Sequence, residues 1–169
     1  MKNHLLLIMR HGKSDRSDHA AADFDRTLTD RGRRSAKKMG AWLKKKKISP
    51  ELVVSSPAAR AERTALIVSR ETGFDPSGII WDKRIYEASL DDLLKVIAAH
   101  AQKSRCVLFI GHNPGLEELL DYLSSDQPAT NSAGKVLTTA AIAVLDYGHG
   151  PISTEKASAR LLCLTRPRD

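Results

Sequence analysis

Arg10-His11-Gly12 follows directly on the apolar run at residues 5–9. A buried strand that ends in this way sets an arginine and a histidine at its C-terminal edge, which is where ligands bind in open α/β sheets. An imidazole offers a nucleophilic nitrogen, and a guanidinium offers a permanently charged fork for phosphate oxygens. Two further segments repeat the construction: Ser55-Ser56-Pro57-Ala58-Ala59-Arg60 and Gly111-His112-Asn113-Pro114-Gly115, each after its own apolar run. These residue types suit attack on a phosphate monoester or phosphoramidate. Such a reaction needs an in-line nucleophile, positive groups around the equatorial oxygens and help for the leaving group. His11 is the candidate nucleophile, one ring nitrogen taking the phosphoryl group while the other keeps its proton against a carbonyl. Arg10, Arg60 and His112 are the candidate positive walls, with Asn113 beside them and free N–H groups at the helix starts after residues 57 and 113. Each residue also has a plainer reading: a strand-end surface histidine, a helix-face charge, a buried histidine bonded to backbone. The three segments together, each at a strand end, favour a site. The scheme calls for no cofactor, and no cluster with familiar metal-ligand spacing is present.

The elements that must position these residues follow from hydropathy and punctuation. Apolar runs at 5–9, 51–54, 79–81, 105–110, 139–145 and 160–164 read as strands. Asp30 reads as the N-cap of a helix reaching about Lys47, before Ile48-Ser49-Pro50. A second helix spans about 58–72 with Gly73 as its stop, a third runs from Ser89 to about Gln102, and Asn113-Pro114 opens a fourth. Strands that alternate with helices predict a three-layer α/β/α sandwich with a mostly parallel central sheet. The last two strands have no helix between them, so an antiparallel edge is expected there. Residues 15–25 and 124–135 read as loops.

At 169 residues the chain is expected to be one domain, 1–169. The run at 5–9 is too short to span a membrane and has no cleavage site after it, so neither a membrane anchor nor a signal peptide is expected. Cys106 and Cys163 lie in apolar runs and read as buried free thiols of a cytoplasmic protein. The net charge of +7 draws anions. Much of it lies in Lys44-Lys45-Lys46-Lys47 and the preceding basic residues, which read as a solvated helix face or as a docking surface for an acidic partner. Aromatic residues make up 5% of the chain and no recognition motif appears, which argues against nucleic acid.

The motifs resemble those of the histidine phosphatase superfamily, the phosphoglycerate mutase-like group. The matching pieces are Arg10-His11-Gly12 with Lys13-Ser14, Leu28-Thr29-Asp30-Arg31-Gly32, Ser55-Ser56-Pro57 with Arg60-Ala61 and Thr64-Ala65, and Gly111-His112-Asn113. The resemblance implies a phosphorylated nucleophile at His11 and a phosphate pocket of Arg10, Arg60 and His112. Arg84-Ile85-Tyr86-Glu87 lies where larger members carry a proton-donating glutamate, so the resemblance makes Glu87 the candidate general acid; a plain loop carboxylate is the competing reading. Ser14 and Asp15 are candidates for the entrance. Compact length and the segments 85–89 and 111–117 resemble the SixA-like phosphohistidine phosphatase branch. Gly12 departs from the alanine common in that branch and keeps small substrates open. Few residues are spare for an inserted cap, so the site is expected to be shallow. The expected partner is a phosphorylated protein, such as a phosphohistidine domain, or a small phosphorylated molecule. A non-catalytic phosphate-binding adaptor is the rival of another class.

Overall fold

The computed structural model describes residues 2–168. Six strands, β1 (Leu5–Arg10), β2 (Leu52–Ser55), β3 (Ile80–Trp81), β4 (Cys106–Gly111), β5 (Ile142–Asp146) and β6 (Arg160–Thr165), form one sheet in the order β3-β2-β4-β1-β5-β6. The pairs β1–β4, β2–β4 and β2–β3 are parallel, while β5 runs antiparallel to both β1 and β6. Helices α1 (Asp30–Lys45) and α2 (Ala59–Thr72) pack on one face; α3 (Leu90–His100) and α4 (Gly115–Leu123) cover the other. The predicted sandwich with its antiparallel edge is the observed one.

The apolar run of β1 shows why the sheet takes helices on both faces. Leu6 and Ile8 join Leu93, Ile97, Leu116 and Leu120 in one core, whereas Leu7 and Met9 join Met39, Leu43, Ala65 and Val68 in the other. Successive strand residues point to opposite faces, so an unbroken apolar run must be buried twice. All four side chains are fully buried, each worth about 1.5–3 kcal/mol of transfer free energy.

Helix ends differ from expectation in small, explicable ways. The N-cap of α1 is Thr29, whose Oγ1 accepts from Gly32 N at 2.9 Å; Asp30 is inside the first turn, where its charge complements the helix dipole and pairs with Arg33. The same helix stops at Lys45 because Lys47 turns to a φ of 59°, and α3 stops at His100, two residues before the predicted end. Gly73 ends α2 with a φ of 80°, as a left-handed C-cap requires. Ser89 and Asp92 form a reciprocal capping box on α3.

The strand predicted from 139 begins only at Ile142. Ala140, with a φ of 64°, turns its N–H onto the carbonyls of Arg10 and His11, and Arg10 N donates to Ala141 O. Those residues brace the end of β1 instead of extending β5. Cys106 is buried and Cys163 only half-buried; both are free. Among the described residues no helix is long and apolar enough to cross a membrane.

Candidate active site

Three neighbouring parallel strands, β2, β4 and β1, end at the same edge of the sheet. Arg10 is opposite Gly111 in the β1–β4 ladder, so His11 and His112 emerge side by side, their ring centroids 5.1 Å apart. Ser56 leaves the end of β2 beside them, and Arg60 reaches in from the first turn of α2. Strand and helix geometry alone therefore gathers His11, Arg10, Arg60 and His112.

His11 is buried, and its Nδ1 lies 2.6 Å from the carbonyl oxygen of Gly12. A carbonyl can only accept, so Nδ1 carries the proton and Nε2 keeps its lone pair. Nε2 accepts a hydrogen bond from Arg60 Nε at 3.3 Å. Burial, above all, with His112, Arg60 and Arg10 adding like charge, lowers the His11 pKa to about 3 despite the opposing Gly12 bond. The ring is neutral near pH 7, as a nucleophile must be. Its support is backbone: Gly12 N donates to Thr64 Oγ1 at 3.0 Å, and Thr64 donates to Arg60 O at 2.7 Å. A methyl group at Gly12 would lie 2.7 Å from Gly32 O, and one at Gly32 only 2.3 Å from Lys13 O. Both glycines let the loop after β1 lie against the start of α1.

Arg10 donates to Leu137 O at 3.1 Å, and its Nε is buried without a partner. Burial lowers its pKa first, with Arg16 and Arg60 contributing and Glu117 opposing. His112 differs from the positive wall predicted for it. Burial, then Arg60, holds its pKa down to about 4, so in this pocket it is a neutral ring, with Nε2 2.8 Å from Ser56 Oγ. Asn113 also differs from its predicted role. Its amide nitrogen donates to Glu117 Oε2 at 2.8 Å and Leu137 O at 2.9 Å. Both partners are acceptors, which fixes the amide orientation and commits its donors to bracing the loop, with none left for phosphate oxygens.

Asp23, in a 3₁₀ turn at Asp23–Asp25, is the residue sequence reasoning missed. Its carboxylate accepts from Arg60 Nη2 at 3.0 Å, Arg26 Nη2 at 2.7 Å and the Tyr86 hydroxyl at 2.5 Å. These bonds, Tyr86 first, hold its pKa well below the usual carboxylate range, while the same contact pushes Tyr86 up to about 12. The residue lies in a stretch with no periodicity, and one carboxylate among the several at 15–25 carried no distinguishing signal. Tyr86 stands edge-on to both His112 and Phe24, with ring centroids 5.5 and 5.0 Å apart.

Two adjoining chambers result. The inner one, about 250 Å³, is lined by Arg10, His11, Ser14, Arg26, Arg60 and His112. The outer one, about 400 Å³, shares Asp23, Arg60 and His112 with it and adds Tyr86 and Glu87. Glu87 is exposed at that rim with a φ of 52°, away from the inner chamber. Asp15 lines neither chamber; it accepts from Ser17 N and Oγ in a local turn. No group of three or more His, Cys, Asp and Glu among the described residues could hold a metal ion.

Fold and pocket together define an α/β sandwich whose parallel strand ends open onto a cation-rich chamber. The family model of the histidine phosphatase superfamily (branch 1) matches residues 6–95, and the chain belongs to that superfamily. An uncharacterized protein of Mycobacterium leprae is 30% identical over 167 residues, covering 95% of this chain and 100% of the relative. Phosphohistidine phosphatase SixA of Escherichia coli is 44% identical over 59 residues, 35% of each chain. A solved structure of the protein histidine phosphatase SixA complexed with tungstate is similar over 97% of both chains, at 25% identity and a TM-score of 0.80.

Proposed function

We propose that the chain is a phosphatase that carries the phosphoryl group on His11 and takes it, without a metal or cofactor, from phosphohistidine in a cytoplasmic signalling protein. The observation that carries the chemistry is the His11–Gly12 contact, which leaves Nε2 unprotonated beside Arg60. Likeness to the two SixA proteins and the open rim support the substrate. In the first step the Nε2 lone pair attacks phosphorus and the P–N bond to the substrate imidazole breaks. The departing nitrogen keeps the bonding pair, and the ring leaves as neutral imidazole because its other nitrogen carries a proton. Arg10 and Arg60 bear the charge on the equatorial oxygens, and His112 donates a hydrogen bond. To offer its fork and free the Nε2 lone pair, Arg60 exchanges Asp23 and His11 Nε2 for phosphate oxygens. In the second step water attacks phosphorus, the P–Nε2 bond breaks, and the water's proton passes to solvent.

Phosphate release from a phosphohistidine-bearing protein and from small phosphomonoesters, without added metal, in wild type and His11→Ala, tests the proposal. Preference for the protein, lost in the variant, supports it. Preference for an ester, also lost in the variant, keeps the mechanism and discards the substrate. Release that survives His11→Ala overturns His11 as the nucleophile, and no release with intact partner binding points to a phosphate-binding adaptor. Glu87 at the rim favours ester hydrolysis as the second reading, since an alkoxide leaving group needs a proton more than an imidazole does. Under that reading Glu87→Gln lowers ester turnover by about 10²-fold or more and leaves phosphohistidine turnover within a few-fold.

A further inference from the structure

A third cavity, about 340 Å³, adjoins the inner chamber, and the two share Arg10, Lys13 and Thr139. It opens between the end of β1, the first turn of α1, the 131–139 loop and the C-terminal segment 166–168. Six cationic residues line it: Arg10, Lys13, Arg31, Lys135, Arg166 and Arg168. No acidic residue lines it among the described residues. The neighbouring chamber is built differently, since Asp23 there pairs with both Arg60 and Arg26. Lys13, Arg31, Lys135 and Arg168 form no ion pair among the described residues.

Several of these positions are fixed rather than floppy. Arg166 is buried and donates to the carbonyls of Ala129, Lys135 and Val136, tying the loop down. Asn131 Oδ1 accepts from Ala133 N and Lys135 N, which presents Lys135 at the cavity. Like charges held in one concavity repel one another, and low-dielectric walls strengthen the field. An anion with several oxygens relieves that repulsion and accepts the donors that Lys13, Arg31, Lys135 and Arg168 leave unused.

We infer that this cavity is a second phosphate subsite, taking another phosphate group of a compact substrate whose reacting phosphate lies at His11, or free inorganic phosphate in its place. The inference rests on reading the inner chamber as the phosphate pocket, and it extends the substrate range of that pocket to small molecules with two phosphates. Arg10 is the shared wall, lining both cavities.

The test uses the Arg31→Ala/Lys135→Ala double variant, whose exposed side chains lie outside the inner chamber. Inorganic phosphate is titrated into wild type and variant by calorimetry. Turnover of fructose 1,6-bisphosphate and of fructose 6-phosphate is measured in both, with the phosphohistidine protein as a third substrate. Two phosphates bound per wild-type chain and one per variant chain support the subsite. A bisphosphate preference of about tenfold or more, lost in the variant while monophosphate turnover stays constant, assigns its occupant to the substrate. Two-site binding without that preference assigns it to free phosphate. Loss of one bound phosphate in the variant, with no turnover of anything in wild type, would sink the catalytic reading and leave the subsite standing. A single phosphate per wild-type chain, or two in the variant, overturns the subsite. So does a variant that fails only on the phosphohistidine protein, for the cavity then reads an acidic protein surface.

Discussion

The ends of β1 and β4 are the same construction put to different uses. Each strand is apolar, parallel to the other and followed by a histidine, and the two rings are neighbours. Yet His11 is held by a carbonyl, which can only accept, whereas His112 is held by the Ser56 hydroxyl, which can give or take a proton. A carbonyl fixes one tautomer; a hydroxyl permits either. Fixing the tautomer suits a nucleophile that must always offer the same lone pair. Leaving it free suits a ring that must adapt to an arriving dianion. On the His11 side the holding residue is Gly12, whose own N–H donates to Thr64 Oγ1 of α2.

The widest gap between the two ends is expected in their alanine variants. His11→Ala removes the phosphoryl acceptor and should cost about 10³-fold or more in kcat. His112→Ala removes one hydrogen-bond donor to the transition state and should cost about 10²-fold. An acid-labile phosphoenzyme trapped during turnover should persist in His112→Ala and vanish in His11→Ala. Equal losses, or a phosphoenzyme in both, would show that the two strand ends are interchangeable.

Arg60 touches the β1 end through Nε and the Asp23 carboxylate through Nη2, and so couples nucleophile to rim. Arg60→Lys keeps the charge and loses the planar fork, for which about a 10²-fold fall in kcat/KM is expected. A fall below tenfold would mean that charge alone suffices. Thr64→Val then attacks the backbone lock itself. It leaves the buried Gly12 N–H without a partner, a loss of about 1–3 kcal/mol in denaturant unfolding. It also loosens the His11 ring while sparing His112.

How far these residues were legible follows from what fixes each of them. His11, Arg10, Arg60 and His112 sit at strand ends and in the first turn of a helix, so hydropathy runs and a few motifs place them. The sheet was legible for the same reason: the run of β1 leaves no polar face, so both faces need cover. Asp23 and Tyr86 come from segments without periodicity and meet across 63 residues of sequence, a pairing that only the tertiary structure creates. The structure departs from the role expected of Asn113 because a neighbouring carboxylate, Glu117, and a distant carbonyl, Leu137 O, consume its donors. Ala140 was read as strand because its composition is apolar, whereas its position is dictated by carbonyls of β1 that need a donor.

The smallest expected effect is also the most direct probe of the two tautomers. In the folded chain both histidines have pKa values below the ordinary 6.5, His11 at about 3 and His112 at about 4. Between those values and 6.5 the unfolded chain binds more protons than the folded one, so stability rises with pH across that window. The contribution is present in full above 6.5 and is lost as pH falls towards 4 and then 3. Imidazole nitrogen chemical shifts at pH 5 should therefore show both rings neutral, with the proton of His11 on Nδ1. Adding inorganic phosphate brings an anion against both rings, which favours their charged forms. His112, whose hydroxyl partner accepts either tautomer, should move towards protonation first, while His11 keeps its Nδ1–H against Gly12 and an unprotonated Nε2. Protonation of His11 ahead of His112 would reverse the assignment of nucleophile and donor between the two strand ends.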